Sequence, residues 1–295
     1  MLVSPQLLRT VVFLSQLNDH GEQVPKGTAF LVVHPLTEES GFPYLVTARH
    51  VIEAARATGH PLFLRGNDND GNLEIRDLPD FDAWHVSSAT DVAVLDLPPI
   101  PGLDVVGISP QQFATAAFLQ EHSAGLGDEV FFLGLFTAHP GSQHNEPIVR
   151  FGNVSMLPNE PVAVRNADGS FTPTSAFLVE ARSWGGQSGS PAFIWLSPIR
   201  EPGVMRIPRW AGDPGEGGVV EDIELPHLLG LVCGHFELPQ DVAFTLETLR
   251  GAQVKQNTGV AIVIPADDIL RELQDEELVA RRDELLRRVK DSRTG

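Results

Sequence analysis

Hydrophobic residues in this chain occur in short runs that glycine, proline and charged residues interrupt. Runs of about four to eight residues rich in Val, Ile, Leu and Phe, bounded by turn-forming residues, are typical of β-strands. The sequence predicts strands over residues 10–17, 27–34, 44–47, 61–65, 84–87, 92–97, 129–134, 148–154, 176–180, 191–195, 228–234 and 259–264. The chain is therefore expected to be dominated by β-structure.

Two stretches depart from this pattern. Residues 50–57 follow a predicted strand and are expected to form a short helical turn. From Ala266 onward, apolar residues recur at the spacing of an amphipathic helix, which Asp267 or Asp268 could cap. The apolar positions are Ile269, Leu270, Leu273, Leu278, Leu285, Leu286 and Val289. The charged residues between 276 and 288 are interpreted as a solvated helix face with pairs of opposite charge.

Proline and glycine mark the point where the chain is expected to change domain. Residues 97–102 read Leu-Pro-Pro-Ile-Pro-Gly, and small or polar residues recur up to position 127. We place a boundary near Gln112, which gives domains 1–112 and 113–265, with a C-terminal helix and tail over 266–295. The stretch 195–227 is rich in proline, glycine and charge, interrupts two predicted strands, and is expected to lie beside a functional cleft.

Composition limits the classes of function. The 295 residues are 42% hydrophobic and 20% charged, which predicts a packed globular protein rather than a disordered chain. The formal charge of -18 opposes binding to a phosphate backbone. Nucleic acid is therefore excluded as an expected partner.

Cysteine usage and apolar run length bear on location. Cys233 is the only cysteine, so no internal disulfide can form and a reducing compartment is tolerated. The first residues lack the basic start and long apolar stretch of a secretion signal. No apolar run approaches the roughly 18 to 20 residues that span a bilayer. We predict a cytoplasmic location and no membrane role.

Three short segments together carry the residue types needed for acyl transfer. Residues 185–191 read Gly-Gly-Gln-Ser-Gly-Ser-Pro, which presents Ser188 on a tight turn. A serine hydroxyl is a weak nucleophile at neutral pH and needs a base, for which His50 is the candidate. Asp91, at the start of a predicted buried strand, could orient the imidazole. Each signal is weak alone, because most such residues are structural, but their order along the chain favours a catalytic triad of His50, Asp91 and Ser188.

The glycines around Ser188 are expected to serve the geometry of an oxyanion hole. A hydrolase must meet the negative charge that develops on the attacked carbonyl oxygen with fixed donors. The backbone N–H groups of Gly186 and Ser188 are the candidates. Glycine allows the backbone angles by which a turn aims two amides at one point.

With these motifs, the chain resembles the chymotrypsin-like (trypsin-like) serine peptidases, and among them the disulfide-poor bacterial members such as the high-temperature-requirement proteases and glutamyl endopeptidases. The resemblance extends over about residues 26–273. Residues 27–32 (Gly-Thr-Ala-Phe-Leu-Val) resemble an early core strand of that family, and residues 257–262 (Asn-Thr-Gly-Val-Ala-Ile), followed by Pro265, resemble its last strand. The resemblance implies an all-β fold of two six-stranded antiparallel β-barrels with a C-terminal α-helix, and a serine endopeptidase that works through an acyl-enzyme.

Two residues beside the nucleophile depart from the most familiar family pattern. Gln187 stands where members activated by propeptide cleavage have Asp, so such activation is not expected here. Ser190 stands where many members have Gly, a variation that resembles the glutamyl enzymes.

The resemblance places the substrate pocket around Arg182, Ser183, Trp184, Val232 and His235. A guanidinium or imidazole in the pocket could pair with an acidic substrate side chain, which predicts cleavage after Glu or Asp. Alternatively, Arg182 pairs with a surface carboxylate such as Glu180, and the pocket prefers apolar residues. Trp184 could also be a core residue.

The remaining features predict neither a cofactor nor a metal site. The histidines lack the paired spacing of zinc sites, and Cys233 is interpreted as a small buried residue on a strand. The expected partners are a protein or peptide substrate and a regulatory protein. A competing hypothesis is a silent or latent trypsin-like scaffold that binds other proteins until a partner releases it, since a fold does not dictate activity.

Overall fold

The computed structural model describes residues 3–36, 41–97, 100–165, 170–181, 186–196, 226–237 and 257–294. Within them, strands form most of the regular structure, as the sequence predicts. No helix among the described residues is both long enough and apolar enough to cross a membrane.

The first seven strands form one antiparallel sheet. They are β1 (Val11–Leu17), β2 (Gln23–Pro35), β3 (Gly41–Thr47), β4 (Phe63–Asn67), β5 (Leu73–Asp77), β6 (His85–Val86) and β7 (Ala93–Asp96). Their order in the sheet is β5-β4-β1-β2-β3-β7-β6. In β2, residues 27–32 are all buried, which is why the sequence there is a continuous apolar run rather than an alternating one.

The structure does not show the second closed six-stranded barrel that the sequence predicts, because this first sheet is not closed. Closure would require the edge strands β5 and β6 to pair, but among the described residues β5 pairs with β4 alone and β6 with β7 alone. β6 has only two residues, His85 and Val86, and a 3-10 turn at Phe81–Ala83 precedes it. The described residues therefore form an open seven-stranded sheet here.

The second sheet is a closed six-stranded barrel, as predicted. The remaining strands are β8 (Glu129–Gly134), β9 (Ile148–Met156), β10 (Val162–Arg165), β11 (Phe171–Thr174), β12 (Phe177–Glu180), β13 (Pro191–Trp195), β14 (His227–Glu237) and β15 (Asn257–Pro265). The barrel runs β12-β15-β14-β13-β8-β9, while β10 and β11 form a separate two-stranded sheet with each other. The change from the first sheet to the barrel falls between β7 and β8. The boundary near Gln112 stays a prediction.

Helices connect and flank these sheets. They are α1 (Pro5–Leu8), α2 (Arg49–Ala57), α3 (Ala116–Glu121), α4 (Ala266–Leu273) and α5 (Glu276–Thr294), with a second 3-10 turn at Pro110–Gln112. The helical turn predicted after the third strand is α2. The single predicted C-terminal helix is in fact two, because the chain breaks at Gln274 and Asp275 and the Asp275 carboxylate accepts a hydrogen bond from Glu277 N (3.0 Å).

The predicted cap of the C-terminal helix is also different. Pro265 is the N-cap residue of α4, so Asp267 and Asp268 lie in its first turn, where a carboxylate still meets the positive end of the helix dipole. Asp267 Oδ2 instead accepts from Ala116 N at the start of α3 (2.9 Å), and Asp268 pairs with Arg271 (2.8 Å).

The two C-terminal helices pack back onto the first sheet. Ile269, Leu273 and Leu278 are buried in the same apolar cluster as β1, β2, β3 and β7. Arg282 is also buried, and it donates to the Tyr44 hydroxyl (2.7 Å) and to Leu273 O (2.5 Å). The prediction that this charged stretch is only a solvated face is therefore wrong for Arg282. It holds for Arg288, which pairs with Glu284 within the helix at 2.9 Å.

Candidate active site

His50 lies in the first turn of α2, directly after β3 ends at Thr47. Asp91 precedes β7, the neighbour of β3 in the sheet, so the pairing of these two strands brings the two residues together. His50 N donates to Asp91 Oδ1 (2.9 Å), and His50 Nδ1 lies 2.7 Å from Asp91 Oδ2. One carboxylate thus fixes both the backbone and the ring of the histidine. Because a carboxylate accepts hydrogen bonds, this contact assigns the proton to Nδ1 and leaves Nε2 as the basic nitrogen.

The electrostatic surroundings of His50 favour its charged form. Burial lowers the pKa of His50, but the charge of Asp91 and its hydrogen bond outweigh that effect, and the carboxylate of Glu53 acts in the same direction. The guanidinium of Arg49 opposes them. The net result is a pKa above the ordinary value of 6.5, which makes His50 a stronger base than a free imidazole.

Ser188 lies on the turn before β13, in the barrel, and is half-buried. Its hydroxyl donates to Cys233 O on β14 at 3.3 Å. Among the hydrogen bonds of the described residues, none joins Ser188 Oγ to His50. The structure thus pairs His50 with Asp91 and places the Ser188 hydroxyl on a neighbouring carbonyl.

Backbone contacts hold the Ser188 turn against the first sheet, next to α2. Thr28 N, on β2, donates to Ser188 O (2.9 Å). Gly27 lies between the two elements: a Cβ there would come within 2.8 Å of Val51 Cγ1 and 3.2 Å of Ser188 O. Gly27 thus separates Val51, which follows His50, from the backbone of Ser188. A larger residue at position 27 would crowd both of them.

The turn itself has the backbone geometry that the sequence predicts. Gly186 (φ +94°) and Gly189 (φ +87°) both lie in the region that favours glycine. Ser190 N closes the turn on Gln187 O (2.9 Å). Among the described residues, neither Gly186 N nor Ser188 N donates a hydrogen bond to a protein acceptor.

The Thr28 side chain joins the two sheets at this turn. Its hydroxyl donates to Gly186 O (2.9 Å) and accepts from Leu135 N (2.9 Å). The backbone carbonyl of Thr28 accepts a hydrogen bond from Thr47 Oγ1 (2.7 Å), and Thr47 lies three residues before His50. Sequence reasoning treats Thr28 only as part of a core strand. The sequence signal that could have revealed its role is a polar residue inside an apolar run. In the structure Thr28 is fully buried, and a buried polar residue needs hydrogen-bond partners.

The residues of the predicted substrate pocket are only partly described. Arg182, Ser183 and Trp184 lie outside the described residues. The Val232 side chain is fully buried in the barrel core, and its backbone accepts from Gly189 N (2.8 Å). His235 is half-buried on β14, two residues beyond Cys233. The pocket roles of these residues stay predictions.

Cys233 is buried on β14, as the sequence predicts. Burial raises the pKa of its thiol well above the ordinary value, and the nearby charge of Asp91 raises it further. The thiol is therefore protonated and a poor nucleophile. Within the described residues, no group of three His, Cys, Asp or Glu side chains is arranged to hold a metal ion.

Comparison with known proteins identifies the family. The model of the trypsin-like peptidase domain matches residues 27–194, more than half of the chain, including the segments around His50, Asp91 and Ser188. Among solved structures, the active form of the Rv3671c protease from M. tuberculosis is similar at 15% identity and a TM-score of 0.49, covering 92% of this chain and 86% of that one. An inactive form of the same protease gives 15% and 0.44, covering 92% and 94%. No curated protein matches the chain. By the family model, this chain belongs to the trypsin-like peptidase family.

Proposed function

We propose that the protein is a serine endopeptidase that hydrolyses peptide bonds through an acyl-enzyme intermediate. Ser188 is the nucleophile, His50 the general base and Asp91 the residue that orients His50. The N–H groups of Gly186 and Ser188 hold the oxyanion. The observation that carries the proposal is the hydrogen-bonded His50–Asp91 pair beside a glycine-flanked serine turn that is bonded to the same sheet.

The reaction follows from these positions. Ser188 Oγ attacks the substrate carbonyl carbon while its proton passes to His50 Nε2, and the carbonyl oxygen becomes an anion between the two N–H groups. The C–N bond then breaks as His50 gives the proton to the leaving amine. His50 then deprotonates a water molecule, which attacks the acyl carbon of the ester. The bond from that carbon to Ser188 Oγ breaks, the acid product leaves, and the proton on His50 passes to Ser188 Oγ. Asp91 stabilises the imidazolium in both halves of the reaction.

One movement precedes attack. The Ser188 hydroxyl must leave Cys233 O and turn toward His50. The bond that it breaks is long at 3.3 Å, so its loss costs little. Catalytic hydrogen bonds are often absent or loose before substrate binds and form in the complex.

The hydrogen bond from Ser188 Oγ to Cys233 O also favours a second candidate function. A serine hydroxyl that rests on Cys233 O rather than on the base is also what a latent or silent trypsin-like scaffold would have. In that case a partner protein would trigger the rotation, or the fold would act by binding alone. The cytoplasmic location and the regulatory partner expected from the sequence stay predictions.

A cleavage profile on a peptide library prepared from a whole proteome tests the proposal. The proposed function predicts cleavage at internal bonds with a defined preference before the cut. Preference for Glu or Asp supports the roles of Arg182 and His235, while preference for Leu, Phe or Val supports the apolar pocket. No cleavage under any condition, with fluorophosphonate labelling also absent, contradicts the peptidase proposal and favours the scaffold.

Thr28→Val is expected to lower kcat by on the order of tenfold to a hundredfold, with a smaller effect on KM. Valine keeps the shape of threonine but leaves Gly186 O and Leu135 N without their hydrogen bonds, so the oxyanion turn loses its fixed position. Thr28→Ser keeps the hydroxyl and is the matched control. Steady-state kinetics on a peptide substrate, corrected by active-site titration, measure both variants. Equal activities of the two variants would show that the hydroxyl has no part in positioning the turn.

The pH dependence follows from the pKa of His50. Attack needs neutral His50, so kcat/KM is expected to rise with pH to a half-maximum above 6.5, the ordinary value for a histidine. Stability should respond in the opposite sense, because the folded-state pKa is the higher one. The contribution of the His50–Asp91 pair is complete below the unfolded-state pKa and is lost as pH rises through the folded-state pKa. A pH–rate profile together with an NMR titration of the His50 ring tests this, and a half-maximum at or below 6.5 contradicts it.

A further inference from the structure

The turn that carries Asp91 is closed by hydrogen bonds centred on Ser87. Ser87 Oγ accepts from Ala89 N (3.2 Å), Thr90 N (3.0 Å) and Thr90 Oγ1 (3.1 Å). Ser87 N donates to Val92 O (3.0 Å), which closes the loop on the far side of Asp91. The position of the Asp91 carboxylate thus depends on where the buried Ser87 side chain is held.

The C-terminal helix α4 supplies the group that holds Ser87. Ser87 Oγ donates its own proton to Glu272 Oε1 at 2.7 Å, across 185 positions of sequence. The other carboxylate oxygen, Glu272 Oε2, lies 2.9 Å from His85 Nε2 on β6, the strand directly before this loop. Glu272 itself is only 9% exposed. A buried carboxylate with one oxygen on Ser87 and the other on β6 is a rigid anchor for this loop, since hydrogen bonds to a charged acceptor are short and strong.

The rest of the helical segment strengthens this attachment. Ile269 and Leu273 fix α4 in the apolar cluster of the first sheet, and Arg281 on α5 pairs with Asp96 at the end of β7 through two 2.9 Å contacts. The strand that follows Asp91 and the loop that precedes it are therefore both tied to the C-terminal helices.

We propose that Glu272 is a positioning residue for the peptidase reaction: through Ser87 it holds the 87–91 turn so that Asp91 keeps both of its hydrogen bonds to His50. The inference rests on the proposed function and extends it to a residue that never touches substrate. The reaction depends on the orientation of the His50 ring, which a shift of Asp91 would change. A displacement of about 1 Å in a catalytic group can lower the rate by on the order of a hundredfold.

The test compares Glu272→Leu and Ser87→Ala with the conservative variant Glu272→Gln. Leucine removes the acceptor of Ser87, whereas glutamine keeps a carbonyl oxygen in its place. Glu272→Leu and Ser87→Ala are each expected to lower kcat by on the order of tenfold to a hundredfold with KM little changed. Glu272→Gln should recover most of the activity. Glu277→Gln, an exposed residue on α5 that pairs with Arg281, is the matched control and should behave as wild type.

Two further readouts separate positioning from a general loss of stability. The double variant should be about as slow as the slower single variant, because both changes break one connection. In NMR spectra, the Nδ1 proton of His50, which reports its bond to Asp91, should shift or broaden in Glu272→Leu and Ser87→Ala and not in Glu277→Gln. If Glu272→Leu does not fold, the NMR signal of the His50 Nδ1 proton in Ser87→Ala alone tests the proposal.

The outcomes also distinguish this inference from the proposed function. Folded variants with wild-type kcat and an unchanged His50 Nδ1 proton contradict the role of Glu272, as do losses that simply add in the double variant. If the wild-type protein cleaves no peptide but the proton shifts as expected, the proposed function is wrong and the positioning of Asp91 by Glu272 stands.

Discussion

Replacing Ser188 by Ala is expected to lower kcat/KM by on the order of a millionfold, because the attacking oxygen is lost and the remaining groups cannot substitute for it. The fold should survive the change. The Ser188 hydroxyl makes one long hydrogen bond, to Cys233 O at 3.3 Å, so its removal should leave the circular dichroism spectrum and the melting temperature close to wild type. Peptide cleavage measured beside thermal unfolding checks both parts.

Ser190→Ala is a matched control for this experiment. Ser190 lies on the same turn, is fully buried, and its Oγ is among the described side-chain atoms that have no hydrogen-bond partner. Its replacement should leave peptidase activity near wild type. If Ser188→Ala retains full activity, or if the two variants lose activity equally, Ser188 is not the nucleophile.

Asp91→Asn is expected to lower kcat by on the order of ten-thousandfold. The two hydrogen bonds to His50 explain the size of the effect. If the amide oxygen of asparagine accepts from His50 N, its NH₂ group faces Nδ1, which must then be an acceptor. The imidazole is forced into the tautomer with its proton on Nε2, and Nε2 can no longer take the proton from Ser188.

The pH profile of the Asp91→Asn variant gives a second, independent readout. Loss of the Asp91 charge and hydrogen bond should lower the pKa of His50, so the acid limb of kcat/KM should move to lower pH. Glu53→Gln is the control, because Glu53 also raises the pKa of His50 by its charge and is exposed. It should shift the limb slightly without the large loss in kcat. A large loss in Glu53→Gln as well would indicate that net charge, not the hydrogen bond, governs the activity.

The sequence was sufficient for the strands whose apolar runs are buried. The predicted segments 129–134 and 191–195 coincide with β8 and β13 because each contains an uninterrupted apolar run, residues 130–133 and 191–195, that is almost entirely buried. The strands β10 and β11 were missed. β10 is a mostly apolar stretch of only four residues, Val162–Arg165, and β11 has largely exposed side chains and no apolar pattern. The open first sheet was also not predictable, because the pairing of edge strands depends on contacts far apart in the chain rather than on local pattern.

The residues of the candidate site also fall into two groups, those that a local sequence motif indicates and those that it does not. His50, Asp91 and Ser188 each sit in a local motif, so they were identified before their positions were known. Thr28 and Glu272 were not, because their roles exist only once distant elements meet. No sequence pattern links Ser87 to Glu272, 185 positions away. The break between α4 and α5 was not predicted either. The apolar spacing continues across it, and the capping residue Asp275 gives only a weak signal.

The most direct test of the central claim is the site of covalent labelling by a fluorophosphonate, which reacts with a serine only where a base and an oxyanion hole activate it. Intact-mass and peptide-mapping mass spectrometry of the labelled wild-type protein should show a single adduct on Ser188, and the Ser188→Ala variant should show none. An adduct on another residue, or a wild-type protein that stays unlabelled with or without a substrate peptide, would contradict the assignment of His50, Asp91 and Ser188 as one catalytic unit.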